Sequence, residues 1–118
     1  IFIDAEGADA AILEGAKCYL QKHGPVTVVE ASPRLLMRAG SSIKQLRSTI
    51  GELGYVAFEI GRLGLKPVRA DLPSRSANWL CVPDSKAQLA KRVQRALWLC
   101  GFLPCVRGLN PLTRRREI

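Results

Sequence analysis

Ile1-Phe2-Ile3-Asp4-Ala5-Glu6-Gly7-Ala8-Asp9 is the stretch from which the rest of the chain can be read. An apolar run ends in two carboxylates, Asp4 and Glu6, and small residues then lead into a helical pattern. Over residues 8–22, apolar or small side chains recur at Ala8, Ala11, Ile12, Gly15, Ala16, Tyr19 and Leu20, which lie on one face of a helix. A buried strand followed by a helix is the repeating unit of an open α/β sheet. In such sheets the carboxyl ends of the strands border the crevice that receives ligands. Asp4 and Glu6 stand at that border. The same carboxylates also suit a helix N-terminus, where they offset the dipole and accept from free N–H groups. The two readings are compatible, because a capping carboxylate can still face a ligand.

Beyond this helix, His23-Gly24-Pro25 is a stop signal: Gly suits a left-handed cap and Pro cannot continue the helix. His23 is placed to interact with the helix dipole. Val26-Thr27-Val28-Val29 is a β-branched run and reads as a second strand. It too ends in a carboxylate, Glu30. If both strands are parallel, Glu30 joins Asp4 and Glu6 at one edge of the sheet; the competing role for Glu30 is an ion pair with Arg34 or Arg38. Residues 32–42 read as a loop with a short helical turn near 35–38. Residues 43–53 form a helix with Ile43, Leu46, Ile50 and Leu53 on one stripe and Gly54 at its end. A third strand covers 55–60. Residues 61–77 lack periodicity and suggest a long loop or a hairpin excursion over the cleft. A fourth strand, 78–82, is stopped by Pro83. Tyr55, Phe58 and Trp79 read as packing residues.

The 118 residues suffice for one domain, and a hydrophobic content of 47% is that of a globular chain. Aromatic residues are few, so the core must come mainly from Leu, Ile, Val and Ala, which suits a sheet covered by helices. The net charge of +8 is uneven. Residues 1–83 hold 10 Lys and Arg against 8 Asp and Glu, whereas residues 84–118 hold 8 against 2. This divides the chain into a near-neutral α/β part, 1–83, and a basic segment, 84–118, with an amphipathic helix over 85–99 and an irregular tail. No nucleic acid is expected as partner, and the basic helix leaves room for peripheral membrane contact. Cys18, Cys81, Cys100 and Cys105 form no CxxC pair and His23 is remote from them, so no metal site is expected. Reduced, structural cysteines point to the cytoplasm.

With these elements in order, the chain resembles the C-terminal half of the FkbM family of S-adenosylmethionine-dependent methyltransferases. Ile3-Asp4-Ala5-Glu6-Gly7-Ala8-Asp9 is similar to the family's Ile-Asp-Val-Glu-Gly-Ala-Glu, and Leu13-Glu14-Gly15-Ala16 follows on the helix. The run from Pro25 to Glu30 looks like the family's next strand, Gly54-Tyr55 like its late Gly-Tyr pair, and Asn78-Trp79-Leu80-Cys81-Val82-Pro83 like its closing strand. The likeness covers residues 1–83.

It implies a partial Rossmann-like methyltransferase sheet, mostly parallel with one antiparallel strand, flanked by helices. It also implies S-adenosylmethionine as cofactor and a hydroxyl on a small metabolite or sugar as methyl acceptor. Asp4 would lie beside the reactive methyl group or the cofactor's amino-acid end, Glu6 would orient or deprotonate the acceptor, and Glu30 would complete the cleft. The family's Gly-rich turn for the cofactor and its ribose-binding acid do not occur in this sequence. The chain also begins inside a strand without an initiator Met. The expectation is therefore a C-terminal piece of a longer enzyme, inactive by itself, with an exposed sheet edge at residues 1–4 that favours self-association. A degenerate methyltransferase fold kept as a partner subunit stands beside that reading.

The basic segment admits a different class of function. Leu89, Val93, Ala96, Leu97 and Cys100 share one face of the last helix, with Lys91, Arg92 and Arg95 on the remainder. Residues 96–106 carry no charge and include Trp98, Phe102 and Leu103, a run too short to span a bilayer. Such a helix either docks on the sheet or sits at an anionic membrane surface. A non-enzymatic binding module, using this segment and Arg114 to Arg116 on nucleic acid or anionic lipid, is the alternative function.

Overall fold

The computed structural model describes residues 1–62, 64–69 and 75–102. The elements are β1 (Phe2–Ile3), α1 (Asp9–Gly15), α2 (Lys17–His23), β2 (Thr27–Ala31), α3 (Pro33–Arg38), α4 (Ile43–Glu52), β3 (Tyr55–Gly61), β4 (Gly64–Pro67), β5 (Ala77–Pro83) and α5 (Gln88–Phe102), with a 3-10 turn at Asp84–Lys86. The strands form one sheet in the order β1-β2-β5-β3-β4. The fold is therefore a mixed α/β domain with a five-stranded sheet flanked by helices.

Successive strand residues point to opposite faces, and here both faces are covered. Val29 and Ala31 of β2, Tyr55 and Ala57 of β3, and Trp79 and Cys81 of β5 join the side chains of α1 to α4 in the larger core. The alternate residues Val28, Phe58, Ile60, Leu80 and Val82 face the other way and meet Leu89, Ala90 and Val93 of α5. Ile43, Leu46, Ile50 and Leu53 are all buried, as their spacing predicts. Trp79 is wholly buried and belongs to the core, as expected.

The sheet corrects the mostly parallel expectation. Only β1 and β2 pair in parallel; the ladders β2–β5, β5–β3 and β3–β4 are antiparallel. β1, β2 and β3 do run in one direction. However, β5 enters between β2 and β3 against them, and each therefore meets an oppositely directed neighbour. The fifth strand, β4, lies in the stretch from 61 to 77. It folds back on β3 as a hairpin, with Gly61 opposite Gly64. Residues 63 and 70–74 of that stretch, and the tail from 103 onward, lie outside the described residues.

The helix expected over 8–22 is two helices. Ala16, at φ −88° and ψ 3°, ends α1 and starts α2. The break also changes the buried stripe: Ala10, Leu13 and Leu20 are buried, whereas Ala11, Ile12 and Tyr19 are exposed. The expected face followed the small residues, but the core takes the side chains that reach β1, β2 and α4.

Two contacts fix the frame behind the carboxyl edge. The Tyr55 hydroxyl reaches the carbonyls of Leu20 and Pro25 at 3.2 and 3.0 Å, tying β3 to the end of α2 and the start of β2. Gly24 closes α2 in the left-handed conformation, and Lys86 Nζ donates to its carbonyl at 2.6 Å. Among the described residues no helix is long and apolar enough to cross a membrane.

Candidate functional site

The parallel pairing of Phe2 with Val28 and Ile3 with Val29 sends the carboxyl ends of β1 and β2 to the same edge of the sheet. Asp4 follows β1 directly, and Glu30 is the penultimate residue of β2. β5 begins at this edge, with Ala77 opposite Ala31 and Asn78 opposite Glu30.

Between β1 and α1 the chain makes a tight turn, closed by the Ala8 N–H donating to the Ala5 carbonyl at 3.0 Å. Both central residues have positive φ, Glu6 at 48° and Gly7 at 106°. A left-handed conformation is ordinary for Gly but uncommon for Glu, so the turn holds Glu6 at some cost in backbone energy. Gly7 is required twice over. A Cβ there would come within 2.3 Å of the Leu35 carbonyl oxygen, so the backbone of α3 lies directly against the turn. The Gly7 N–H donates to Asp9 Oδ2 at 3.1 Å.

Glu6 and Glu30 line one open cleft of about 430 Å³ with Ser32, Arg34, Arg38 and Ser76. Ser76 Oγ donates to Ser32 Oγ at 2.7 Å across the mouth between β5 and β2. Glu30 is half-buried and its carboxyl is pushed above the usual value, first by burial and then by the negative charges of Asp4, Asp9 and Glu6. The neighbouring acids thus oppose ionisation of Glu30, and Arg34 and Arg38, one helical turn apart on α3, line the same cleft.

The three expected site residues have different fates. Glu6 and Glu30 are brought together in the cleft. Asp4 is exposed and acts on Glu30 through its charge, without being one of the lining residues. Neither Asp4 nor Glu6 caps α1, whose first-turn acid is Asp9. Nor does Glu30 form the ion pair with Arg34 or Arg38; among the described residues the ion pair is Arg75 with Glu59, at 4.0 Å.

Sequence reasoning missed Asp9. It is 1% exposed, with Oδ2 bonded to the turn and Oδ1 buried without a partner. The available signal was its position two residues after a glycine at a strand-to-helix turn. Ser32 and Ser76 carried none, since they meet only through the β2–β5 pairing. Among the described residues no group of three or more His, Cys, Asp or Glu side chains is arranged to hold a metal ion.

S-Adenosylmethionine, the cofactor implied by the resemblance, fits this edge in part. Its sulfonium and ammonium charges suit the acids Asp4, Glu6 and Glu30 that cluster here, whereas Arg34 and Arg38 of the same cleft do not. The cleft lining is polar apart from Leu35, and this offers no apolar slot for an adenine ring. In comparisons with protein-family models, curated proteins and solved structures, the chain matches none.

Proposed function

We propose that this chain supplies the acceptor-side carboxylates of an S-adenosylmethionine-dependent O-methyltransferase acting on a hydroxyl of a small metabolite or sugar. The observation that carries the reading is the convergence of Glu6 and Glu30 in one cleft at the carboxyl ends of two adjacent parallel strands. The cofactor, when bound, supplies an electrophilic methyl group; Asp4 is the residue suited to face its cationic end. Glu30, whose carboxyl is held above its ordinary value, is a stronger base than a free glutamate and takes the proton of the acceptor hydroxyl. Glu6, fixed by its strained turn, accepts a hydrogen bond from a neighbouring hydroxyl and aligns the acceptor. Arg34 and Arg38 hold polar or anionic substituents at the rim. Nucleoside contacts come from outside these residues.

The test is calorimetric titration of S-adenosylhomocysteine into this chain and into the longest polypeptide encoded in frame with it. The expected result is binding by the longer protein, weakened by Asp4→Asn, and methyl transfer lost in Glu30→Gln. Absence of binding by both proteins, each folded by circular dichroism, refutes the reading.

A further inference from the structure

Part of the carboxylate cleft is basic. α3 contributes Arg34 and Arg38, one turn apart, and Leu35, and all three line the cleft with Glu6 and Glu30. Gly7, next to Glu6, lies directly against the backbone of α3, so that a Cβ there would meet the Leu35 carbonyl. The acidic turn and the basic helix are thereby held as one unit. The positive φ of Glu6, 48°, is the kind of backbone strain that clusters at ligand sites.

Three side chains here lack the partner their positions would suggest. Arg34 and Arg38 share the cleft with two acids, yet among the described residues neither makes an ion pair. Ser32 stands at the N-cap of α3, where a serine ordinarily accepts from the first turn, but its side chain forms no capping bond. It is 4% exposed, and its Oγ accepts from Ser76 Oγ at 2.7 Å instead. The Ser32 hydroxyl hydrogen is left without an acceptor among the described residues, on a side chain that lines the cleft. A solvated basic face accounts for two exposed arginines, but not for a buried hydroxyl that forgoes its cap.

We propose that the cleft takes a phosphate monoester carrying free hydroxyls, as in a sugar phosphate, with Arg34 and Arg38 on the phosphate and Glu6 and Ser32 on the hydroxyls. Two guanidiniums offer planar donor forks and two positive charges, which a phosphate dianion satisfies and a single carboxylate does not. The Glu6 carboxylate, an acceptor only, receives a hydrogen bond from a hydroxyl and repels an anion. The cleft, at about 430 Å³, is the size of a small-molecule site. This deepens the methyltransferase reading by naming a substituent of the acceptor, and it rests on that reading only for the ligand's role as acceptor.

The experiment is calorimetric titration of the whole chain, without cofactor, with glucose 6-phosphate, ribose 5-phosphate, glucose, glucuronate and inorganic phosphate. At least one sugar phosphate is expected to bind, more tightly than inorganic phosphate or glucuronate, with no binding of glucose. Each of Arg34→Gln and Arg38→Gln should weaken that binding on the order of tenfold at an unchanged unfolding midpoint, since both side chains are exposed. Glu6→Gln should weaken the sugar phosphate but not inorganic phosphate. Absence of binding by both sugar phosphates overturns the proposal. So does binding that both arginine variants leave unchanged, tighter binding of glucuronate, or inorganic phosphate bound as tightly as the esters, which is an adventitious ion only. Because no cofactor is present, these outcomes are separate from failure of S-adenosylhomocysteine to bind, which bears on the methyltransferase reading alone.

Discussion

Gly7→Ala is the sharpest test of the turn that places Glu6 in the cleft. Two costs add at this position. Alanine at φ 106° leaves the regions open to L-residues, at about 1–2 kcal/mol for a left-handed conformation. Its Cβ would also sit 2.3 Å from the Leu35 oxygen and 2.6 Å from the Leu35 carbonyl carbon. Both are backbone atoms, so α3 as a whole must retreat, a distortion comparable to overpacking a filled core at about 1–3 kcal/mol. The combined loss is roughly 2–5 kcal/mol, a large part of the about 5–15 kcal/mol typical of a domain.

Gly51→Ala is the control. Gly51 lies in α4 with nothing within 4 Å of the added Cβ, and the substitution should stabilise by about 0.5–1 kcal/mol. Urea unfolding followed by far-ultraviolet circular dichroism measures both. A Gly7→Ala protein within about 0.5 kcal/mol of the parent, the range of a neutral surface change, would show that the turn is not pressed against α3, and the placement of Glu6 would fall with it.

Glu30→Gln should stabilise the protein at neutral pH. The folded-state carboxyl is raised, so the fold favours the protonated form and loses stability as pH rises through that raised value. The gain from Gln should shrink as pH falls and vanish below the ordinary 4.5 of a glutamate; a gain independent of pH in thermal melts would contradict the electrostatic account. Tyr55→Phe removes the hydroxyl shared by the Leu20 and Pro25 carbonyls, and should cost about 1–2 kcal/mol in the same urea assay. Cys81 is buried and its thiol is pushed up to about 12. Peptide mapping after iodoacetamide treatment should find Cys18 modified in the native protein and Cys81 modified only after unfolding; native labelling of Cys81 would mean that β5 opens readily.

Local pattern was enough for most elements. The β-branched run of β2, the four-residue apolar stripe of α4 and the Gly24-Pro25 stop each carry their own signal, because period, branching and φ preference act over a few residues. The carboxylates at the ends of β1 and β2 were legible for the same reason: strand-end acids are visible once the strands are.

What pattern alone did not show is how the strands are ordered. Entry of β5 between β2 and β3 turns a mostly parallel expectation into a sheet with one parallel ladder, and strand order depends on contacts between residues about 50 positions apart, as in Val29 with Trp79. That choice brings Ser76 to Ser32. The break at Ala16 likewise has no strong sequence mark. Sequence by itself thus determined α4, the strands β1, β2, β3 and β5 and the acids available to a site, through short-range sterics and hydrophobic period. Only the tertiary structure decided which acids share a cleft, that Asp9 is buried beneath the turn with one oxygen unpartnered, and that Glu30 stands apart from its arginine neighbours. Those outcomes depend on burial and on distances between strands that no local pattern encodes.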